Sequence, residues 1–178
     1  MLRVGTVGTS SIMRTIQEAI RLTDGMECRV VYSRTEEQGR AFAAEMGVPE
    51  HCTDYAAMLA RSDLDLIDIA SPNRFHVEQA LAALEHGKHV IVEKPAAVTR
   101  GDVQRLIDAA RANGVYFFEA ITTLFMPQYE ACRLLLPKLG RIEQAHITYA
   151  QYSSRYDAYL RVLNVEAAQI QHLRRVGI

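Results

Sequence analysis

Short apolar runs alternate along the first two thirds of the chain with stretches whose apolar residues recur at helical spacing. Thr35 is followed three residues later by Gln38, and this capping-box pattern predicts that a helix begins at Glu36. The predicted strands are Leu2–Val7, Cys28–Tyr32, Leu64–Ala70, Lys88–Val92 and Val115–Phe118. The predicted helices are Ile12–Leu22, Glu36–Met46, a short one that Thr53 or Asp54 caps and that ends at Ala60, Phe75–His86 and Gly101–Ala112.

Strands that alternate with helices through short polar connections are typical of an α/β fold with a doubly wound parallel sheet. The pattern changes after Ile121. It then predicts a helix over Met126–Leu136, a long strand over Ile142–Tyr152 and a further helix from Val162. We therefore expect two parts, with the parallel sheet in residues 1–121 and part of a second domain in residues 122–178.

The composition narrows the classes of partner that the chain could have. Its 20 basic and 21 acidic residues give a net charge of −1, which favours neither a nucleic acid nor a membrane surface as partner. No apolar run approaches the roughly 20 residues of a membrane helix, and no secretory signal is visible. The three cysteines are widely spaced and show no metal-ligand pattern, so we expect free thiols in a cytoplasmic protein.

Polar segments follow the predicted strands, and they carry the candidate chemistry. Crossovers in a parallel sheet are right-handed, so the loops after the strands lie at one edge, where ligands bind near the switch in strand order. We expect the following segments to converge there: Gly8–Ser11, Ser33 and Arg34, Ser71–His76, and Glu93–Pro95.

The loop after the first strand retains only part of the glycine fingerprint for dinucleotides. Counting from Gly8, the three small positions hold Gly8, Ser10 and Met13, so only the first glycine is present. Backbone N–H groups at a helix start still favour a phosphate, so a cofactor could contact Gly8, Thr9, Ser10, Ser11 and Ile12. The alternative is a plain turn that Ser10 or Ser11 caps.

The end of the second strand bears on the choice of cofactor. NAD sites usually have Asp or Glu there, whereas this chain has Ser33 and Arg34. A hydroxyl and a guanidinium attract a 2′-phosphate that a carboxylate would repel, so we prefer NADP over NAD. The alternative is that Arg34 is solvated, with a field that Glu36 and Glu37 weaken.

Several motifs together carry a resemblance to a known family. They are Gly8-Thr9-Ser10, Tyr32-Ser33-Arg34, the run from Ile69 to His76 with its Pro-Asn-x-x-His pattern, and Glu93-Lys94-Pro95. From about Leu2 to Tyr159 the chain resembles the Gfo/Idh/MocA family, the glucose–fructose oxidoreductase and inositol dehydrogenase group. The resemblance implies an N-terminal Rossmann domain, a C-terminal α/β domain with an open sheet, and NAD(P). It also implies hydride transfer at a carbonyl or carbinol carbon of a sugar, polyol or related small molecule.

The same resemblance implies roles for individual residues. Lys94 would be the catalytic residue near the nicotinamide and the substrate oxygen, with Glu93 near the cofactor and a cis peptide bond before Pro95. Further cofactor-binding residues would be Ser71, Pro72, Asn73, His76 and Glu119. Asn73 and His76 would line the nicotinamide side of the cleft, and Glu119 would lie at the end of the last strand, where the cofactor site closes. The alternatives are a surface lysine that pairs with Glu93, and a solvated histidine at a helix start.

The chain departs from the family pattern after Tyr159. Relatives carry a Gly-Gly-x-x-x-Asp-x-x-x-His segment, whose Asp and His act with the lysine, and this sequence has no such segment. The tail from Val162 instead resembles the family's last helix, so an internal deletion and an unrelated tail remain alternatives. The open strand Ile142–Tyr152 leads us to expect homo-oligomerisation. Two other functions stay open: a module that binds NAD(P) without turnover, and a Rossmann-like domain that binds no nucleotide.

Overall fold

The computed structural model describes residues 1–146 and Thr148, and six strands in this part of the chain form one parallel sheet. The strand order is β3-β2-β1-β4-β5-β6, the order of a doubly wound dinucleotide-binding sheet. The strands are β1 (Leu2–Val7), β2 (Met26–Tyr32), β3 (Glu50–Cys52), β4 (Leu66–Ile69), β5 (His89–Glu93) and β6 (Phe117–Ala120).

Helices connect the strands, and their starts follow the polar residues that the sequence offers as caps. The side chains of Thr35, Asp54 and Thr99 each accept a hydrogen bond from a backbone N–H in the first turn of the helix that follows. The helices are α1 (Ser11–Leu22), α2 (Glu36–Met46), α3 (Tyr55–Leu59), α4 (His76–Glu85), α5 (Arg100–Ala112) and α6 (Pro127–Leu135), and 3₁₀ turns span Asn73–Phe75, Thr122–Phe125 and Leu136–Leu139.

The sheet is covered on both faces. Helices α3, α4 and α5 pack on one face, where Leu84 and Leu106 join Ile67 in a single buried cluster. Helices α1 and α2 pack on the other face, where Met13 and Phe42 lie in a cluster with Val31. Adjacent residues of a strand point to opposite faces, so the apolar strands supply both cores, and the predicted doubly wound α/β fold is confirmed.

The register brings the strand ends to one level. Val7 at the end of β1 aligns with Tyr32 of β2 on one side and with Ile69 of β4 on the other. Ile69 in turn aligns with Val92 of β5, and Glu93 aligns with Ala120 of β6. The loops that follow these strands therefore leave the sheet along one edge.

The structure differs from the sequence-based expectation in several places. Strand β3 was not predicted, because its residues Glu50–Cys52 show no apolar run. Asn73–Phe75 forms a 3₁₀ turn, so the helix after β4 begins at His76 rather than at Phe75. Strand β6 ends at Ala120 rather than at Phe118.

The region after the sheet is described only in part. Residues 142–146 have no strand structure, contrary to the prediction for Ile142–Tyr152; residues 147 and 149–152 of that stretch, and the helix predicted from Val162, lie outside the described residues. Contacts divide the chain into two compact units, Met1–Ala131 and Cys132–Ile178. Within the described residues, no helix is long and apolar enough to cross a bilayer.

Candidate functional site

A groove of about 220 Å³ opens at the carboxyl ends of β1, β2 and β4. It lies at the point where the strand order reverses, which is the usual ligand position in such sheets. The residues that line it are Val7, Gly8, Thr9, Ser10, Tyr32, Ser33, Arg34, Gln38, Ala70, Ser71, Pro72, Phe75 and Gln79.

Gly8 directly follows β1, and it contacts the ends of β2 and β4 at the floor of this groove. Its N–H donates a hydrogen bond of 3.0 Å to the carbonyl oxygen of Tyr32. Its φ of +114° lies in the region that favours glycine, and a Cβ at this position would lie 2.8 Å from the carbonyl oxygen of Ala70. The position therefore needs glycine for both its conformation and its space, although the other two glycines of the fingerprint are missing.

The positive end of the helix dipole, at the N-terminus of α1, has no compensating group within the helix. Ser10 is the N-cap residue, but its side chain accepts no hydrogen bond from the helix, and the first turn contains no acidic residue. The first N–H groups of a helix need acceptors, and an anionic group can supply them. Thr9 and Ser10 line the groove, whereas the predicted contacts Ser11 and Ile12 lie in the first turn outside the lining.

The end of β2 contributes a hydroxyl and a cation. Ser33 is buried, and its N–H donates to the carbonyl oxygen of Cys52 at 3.0 Å. Arg34 is exposed at the groove, and it has no ion-pair partner among residues 1–146 and Thr148. The nearby Glu36 contacts His51 at 2.7 Å instead. The guanidinium of Arg34 is therefore available to an anionic ligand.

Six lining residues were missing from the predicted site residues: Val7, Tyr32, Gln38, Ala70, Phe75 and Gln79. The Ser71 hydroxyl donates to the side-chain oxygen of Gln79 at 2.6 Å, and the Tyr55 hydroxyl donates to the backbone oxygen of Gln79 at 2.8 Å. Gln38 and Gln79 each lie in the first turns of a helix that starts at this edge. That position is the only sequence signal that could have indicated them.

Lys94 lies in the loop after β5, outside the lining of the groove. The Lys94–Pro95 peptide bond is cis, as the resemblance implied. The Glu93 carboxylate accepts a hydrogen bond from the Lys94 backbone N–H at 3.3 Å. Among the described residues no carboxylate pairs with the Lys94 ammonium, so the alternative of a Glu93–Lys94 side-chain ion pair is wrong for this part of the chain.

His76 and Glu119 contact the backbone of the Lys94 loop. The His76 ring has no exposed surface, and its nitrogens lie 2.8 Å from the carbonyl oxygens of Pro95 and Ser71. Neither expected environment, the cleft wall or solvent, fits a ring that is fully buried. Glu119 is exposed at the end of β6, and its carboxylate accepts a hydrogen bond of 2.9 Å from the Ala96 N–H. Asn73 is exposed in the 3₁₀ turn and does not line the groove.

A buried acid lies beneath the same edge. Asp68 occupies the central strand β4, aligned with Thr6 of β1, on the side of the sheet where α1 packs. Burial, together with the charge of Glu93, raises the pKa of the Asp68 carboxyl from 3.8 to about 7. One feature of the sequence points to Asp68, which is an acidic residue inside an otherwise apolar strand. The described residues contain no cluster of ligands that could hold a metal ion.

Comparison with known proteins identifies the family. The sequence profile described as "Oxidoreductase family, NAD-binding Rossmann fold" (GFO_IDH_MocA) matches residues 2–121. The scyllo-inositol 2-dehydrogenase (NADP(+)) IolU of Bacillus subtilis (strain 168) is 38% identical over 159 residues, which cover 89% of this chain and 48% of that protein. The uncharacterized oxidoreductase YgjR of Escherichia coli (strain K12) is 38% identical over 160 residues, 90% of this chain and 49% of its own length.

Solved structures agree with this result. The KijD10 3-ketoreductase from Actinomadura kijaniata, in complex with NADP and TDP-benzene, has a TM-score of 0.72 at 30% identity and covers 77% of this chain and 42% of its own. Biliverdin reductase from Synechocystis sp. PCC 6803, in complex with biliverdin and NADP+, has a TM-score of 0.69 at 30% identity, over 79% of this chain and 44% of its own. This chain thus spans about half the length of the relatives it matches. By its sequence, its strand order and its solved relatives, the chain belongs to the Gfo/Idh/MocA oxidoreductase family.

Proposed function

We propose that this chain binds NADP and contributes the nucleotide-binding part of an oxidoreductase. The reaction would transfer a hydride between the nicotinamide and a carbonyl or carbinol carbon of a sugar, polyol or related small molecule. The observation that carries the proposal is the groove at the switch point, where Gly8, the start of α1 and Arg34 meet. The inositol dehydrogenase and 3-ketoreductase among the relatives support a sugar-like substrate.

The groove suits one part of a dinucleotide. Its volume of about 220 Å³ is below the 300–1,000 Å³ typical of pockets that enclose a whole ligand, so it would hold the adenosine portion. The N–H groups at the start of α1 would bind the pyrophosphate, because they point outward and Ser10 does not cap them. Glycine at position 8 lets the loop before α1 pack closely against the carbonyl oxygen of Ala70, where an added Cβ would lie only 2.8 Å away.

Charge at the end of β2 favours NADP over NAD. A guanidinium without a carboxylate partner can form charge-assisted hydrogen bonds with a 2′-phosphate. Ser33 and Gln38 add polar groups to the lining next to Arg34. An NAD site would instead need a carboxylate for the ribose hydroxyls, and no acidic residue lines this groove.

Lys94 would act as the acid–base group of the reaction. When bound, the nicotinamide supplies or accepts the hydride. The Lys94 ammonium, exposed and without a carboxylate partner among the described residues, can donate a hydrogen bond to the substrate oxygen. In the reduction direction it can also give that oxygen its proton, and in the oxidation direction the neutral amine can accept it.

Binding without turnover is the second candidate function. The sequence contains no Gly-Gly-x-x-x-Asp-x-x-x-His segment. By the resemblance to the family, the Asp and His of that segment would act together with the lysine. Lys94 alone would then have no partner for proton transfer, whereas the groove would keep its contacts with the nucleotide.

One pair of assays separates these candidates. Fluorescence titration of the purified chain with NADPH and NADH measures binding, and a panel of sugars, polyols and dicarbonyls measures turnover. Turnover supports the first candidate, and saturable binding without turnover supports the second. If neither nucleotide binds, both candidates are refuted.

We also propose that the chain forms a homo-oligomer. Strand β6 lies at the edge of the sheet, and the Phe118 side chain on it is 54% exposed. An exposed edge strand with an aromatic side chain favours association. Light scattering coupled to size-exclusion chromatography should give a mass above that of one 20.0 kDa chain, and a mass equal to it would refute the proposal.

A further inference from the structure

The side chain of His76 links two loops that are distant in sequence. Its Nδ1 lies 2.8 Å from the carbonyl oxygen of Pro95, in the loop after β5, and its Nε2 lies 2.8 Å from the carbonyl oxygen of Ser71, in the loop after β4. Ser71 lines the groove, and Pro95 directly follows Lys94. The ring is thus a bridge between the nucleotide groove and the lysine loop.

The partners of the ring fix its hydrogen-bonding role. Both are carbonyl oxygens, which only accept, so each contact is a hydrogen bond when the facing ring nitrogen carries a hydrogen. The ring has no exposed surface, so water cannot replace either contact. Packing alone would require only an apolar ring here, without a nitrogen at either position.

A second side chain, that of Glu119 on the neighbouring strand β6, contacts the same loop. The Glu119 carboxylate accepts a hydrogen bond of 2.9 Å from the N–H of Ala96, and Ala96 is buried. The peptide group between Pro95 and Ala96 is therefore held at both of its polar atoms. His76 contacts its oxygen, and Glu119 accepts a hydrogen bond from its N–H. The Lys94 side chain, in contrast, is exposed.

We propose that His76 and Glu119 are positioning residues, which clamp the backbone after Lys94 and present its ammonium at a fixed point beside the groove. The clamp differs from a cofactor contact, because neither residue lines the groove. It rests on the proposed function only in taking Lys94 as the acid–base group. A fixed backbone matters there, since a displacement of about 1 Å at a reacting group can cost about a hundredfold in rate.

His76→Phe tests the clamp, since phenylalanine keeps the ring volume and removes both nitrogens. The matched control is His86→Phe at the other end of α4, where the exposed ring hydrogen-bonds, among the described residues, to the carbonyl oxygen of Ala82 in its own helix. Amide hydrogen exchange, measured by NMR on the whole chain without nucleotide, reports the Ala96 N–H in the loop and the Ile67 N–H in the core.

The clamp predicts a local effect. In His76→Phe, exchange at Ala96 should rise about tenfold or more while Ile67 stays within about threefold of the wild type. His86→Phe should change neither amide. Unchanged exchange at Ala96 in a folded His76→Phe chain would overturn the proposal, and equal acceleration at both amides would assign His76 to general stability instead.

A wild-type measurement keeps the test valid where His76→Phe does not fold. Two-dimensional ¹⁵N NMR of the His76 ring should show a ring N–H that is protected from exchange with water. A ring whose N–H protons all exchange freely would refute the bridge. At the other anchor, Glu119→Leu should accelerate exchange at Ala96, whereas Glu119→Gln, which keeps an oxygen acceptor, should not. Equal exchange in these two variants would exclude Glu119 from the clamp.

The link to Lys94 has its own readout. After ¹³C reductive methylation, NADPH should shift the Lys94 signal in the wild type, and the shift should be smaller in His76→Phe at equal nucleotide occupancy. An equal shift in both proteins would show that the loop needs no clamp. Failure of the wild type to bind NADPH would refute the proposed function, while the exchange at Ala96 would still decide the clamp.

Discussion

Replacing the buried acid Asp68 with asparagine should remove a pH dependence of stability. The side chain is 6% exposed in the central strand β4, and burial raises the pKa of its carboxyl to about 7 in the folded chain, against 3.8 as its ordinary value. Below 3.8 the carboxyl is protonated in both states and adds no pH dependence. Between 3.8 and about 7 the folded chain holds a proton that the unfolded chain has released, so the free energy of unfolding falls as pH rises. Above about 7 the loss is complete.

The magnitude follows from the two pKa values. At about 1.4 kcal/mol for each tenfold change in proton affinity, the charged Asp68 costs the wild type at most about 4 kcal/mol above pH 7. About 3 kcal/mol of that cost develops between pH 5 and pH 8. Asparagine has a similar shape and stays neutral, so Asp68→Asn should gain about this amount relative to the wild type over that interval.

Urea unfolding followed by circular dichroism at pH 5 and pH 8 measures this difference. The control is Asp24→Asn, which changes an exposed aspartate in the turn before β2 and should follow the wild type at both pH values. A stability difference between Asp68→Asn and the wild type that is the same at pH 5 and pH 8 would refute the reasoning. It would mean that Asp68 is ionised in the folded chain throughout.

Three further substitutions test the site. Arg34→Asp should lower the affinity for NADPH relative to NADH by about tenfold or more, because a charge-assisted hydrogen bond contributes about 1.5–3 kcal/mol; fluorescence titration measures the ratio, and Arg40→Asp, an exposed residue outside the groove lining, is the control. Gly8→Ala should destabilise the chain by about 2–4 kcal/mol in thermal unfolding, since it adds a clash with Ala70 to backbone strain. Gly114→Ala, at a φ of +66° with no atom within 4 Å of the added Cβ, should cost only about 1 kcal/mol, and equal losses would remove the clash from the account. Lys94→Ala should abolish any turnover and leave the NADPH affinity within about threefold, and unchanged turnover would reject Lys94 as the acid–base group.

The parts of the fold that depend on local signals were predictable from the sequence. The caps at Thr35 and Thr99 set helix starts that the structure confirms within a residue, and the apolar run Leu2–Val7 is strand β1. The groove was predictable where its residues follow strands directly, as Gly8 and Arg34 do, because parallel strands end at one edge.

The parts that depend on long-range packing were not predictable. His76 stands at a helix start in a polar segment, which suggests solvent, yet it is buried because the loop that contains Pro95 packs over it. Gln79 points into the groove through a contact with Ser71 that follows from the position of α4 on the sheet. Strand β3 forms by pairing with β2, and its own residues give no signal for it.

The central claim is that the edge formed by the loops after β1, β2 and β4 binds the nucleotide. Two-dimensional NMR of the ¹⁵N-labelled chain during titration with NADP+ tests it most directly. The account predicts saturable shifts of the Gly8, Ser10, Arg34 and Ser71 amides, and little change at Gly114 on the opposite edge. Saturable binding that shifts other residues and leaves these four amides in place would contradict it.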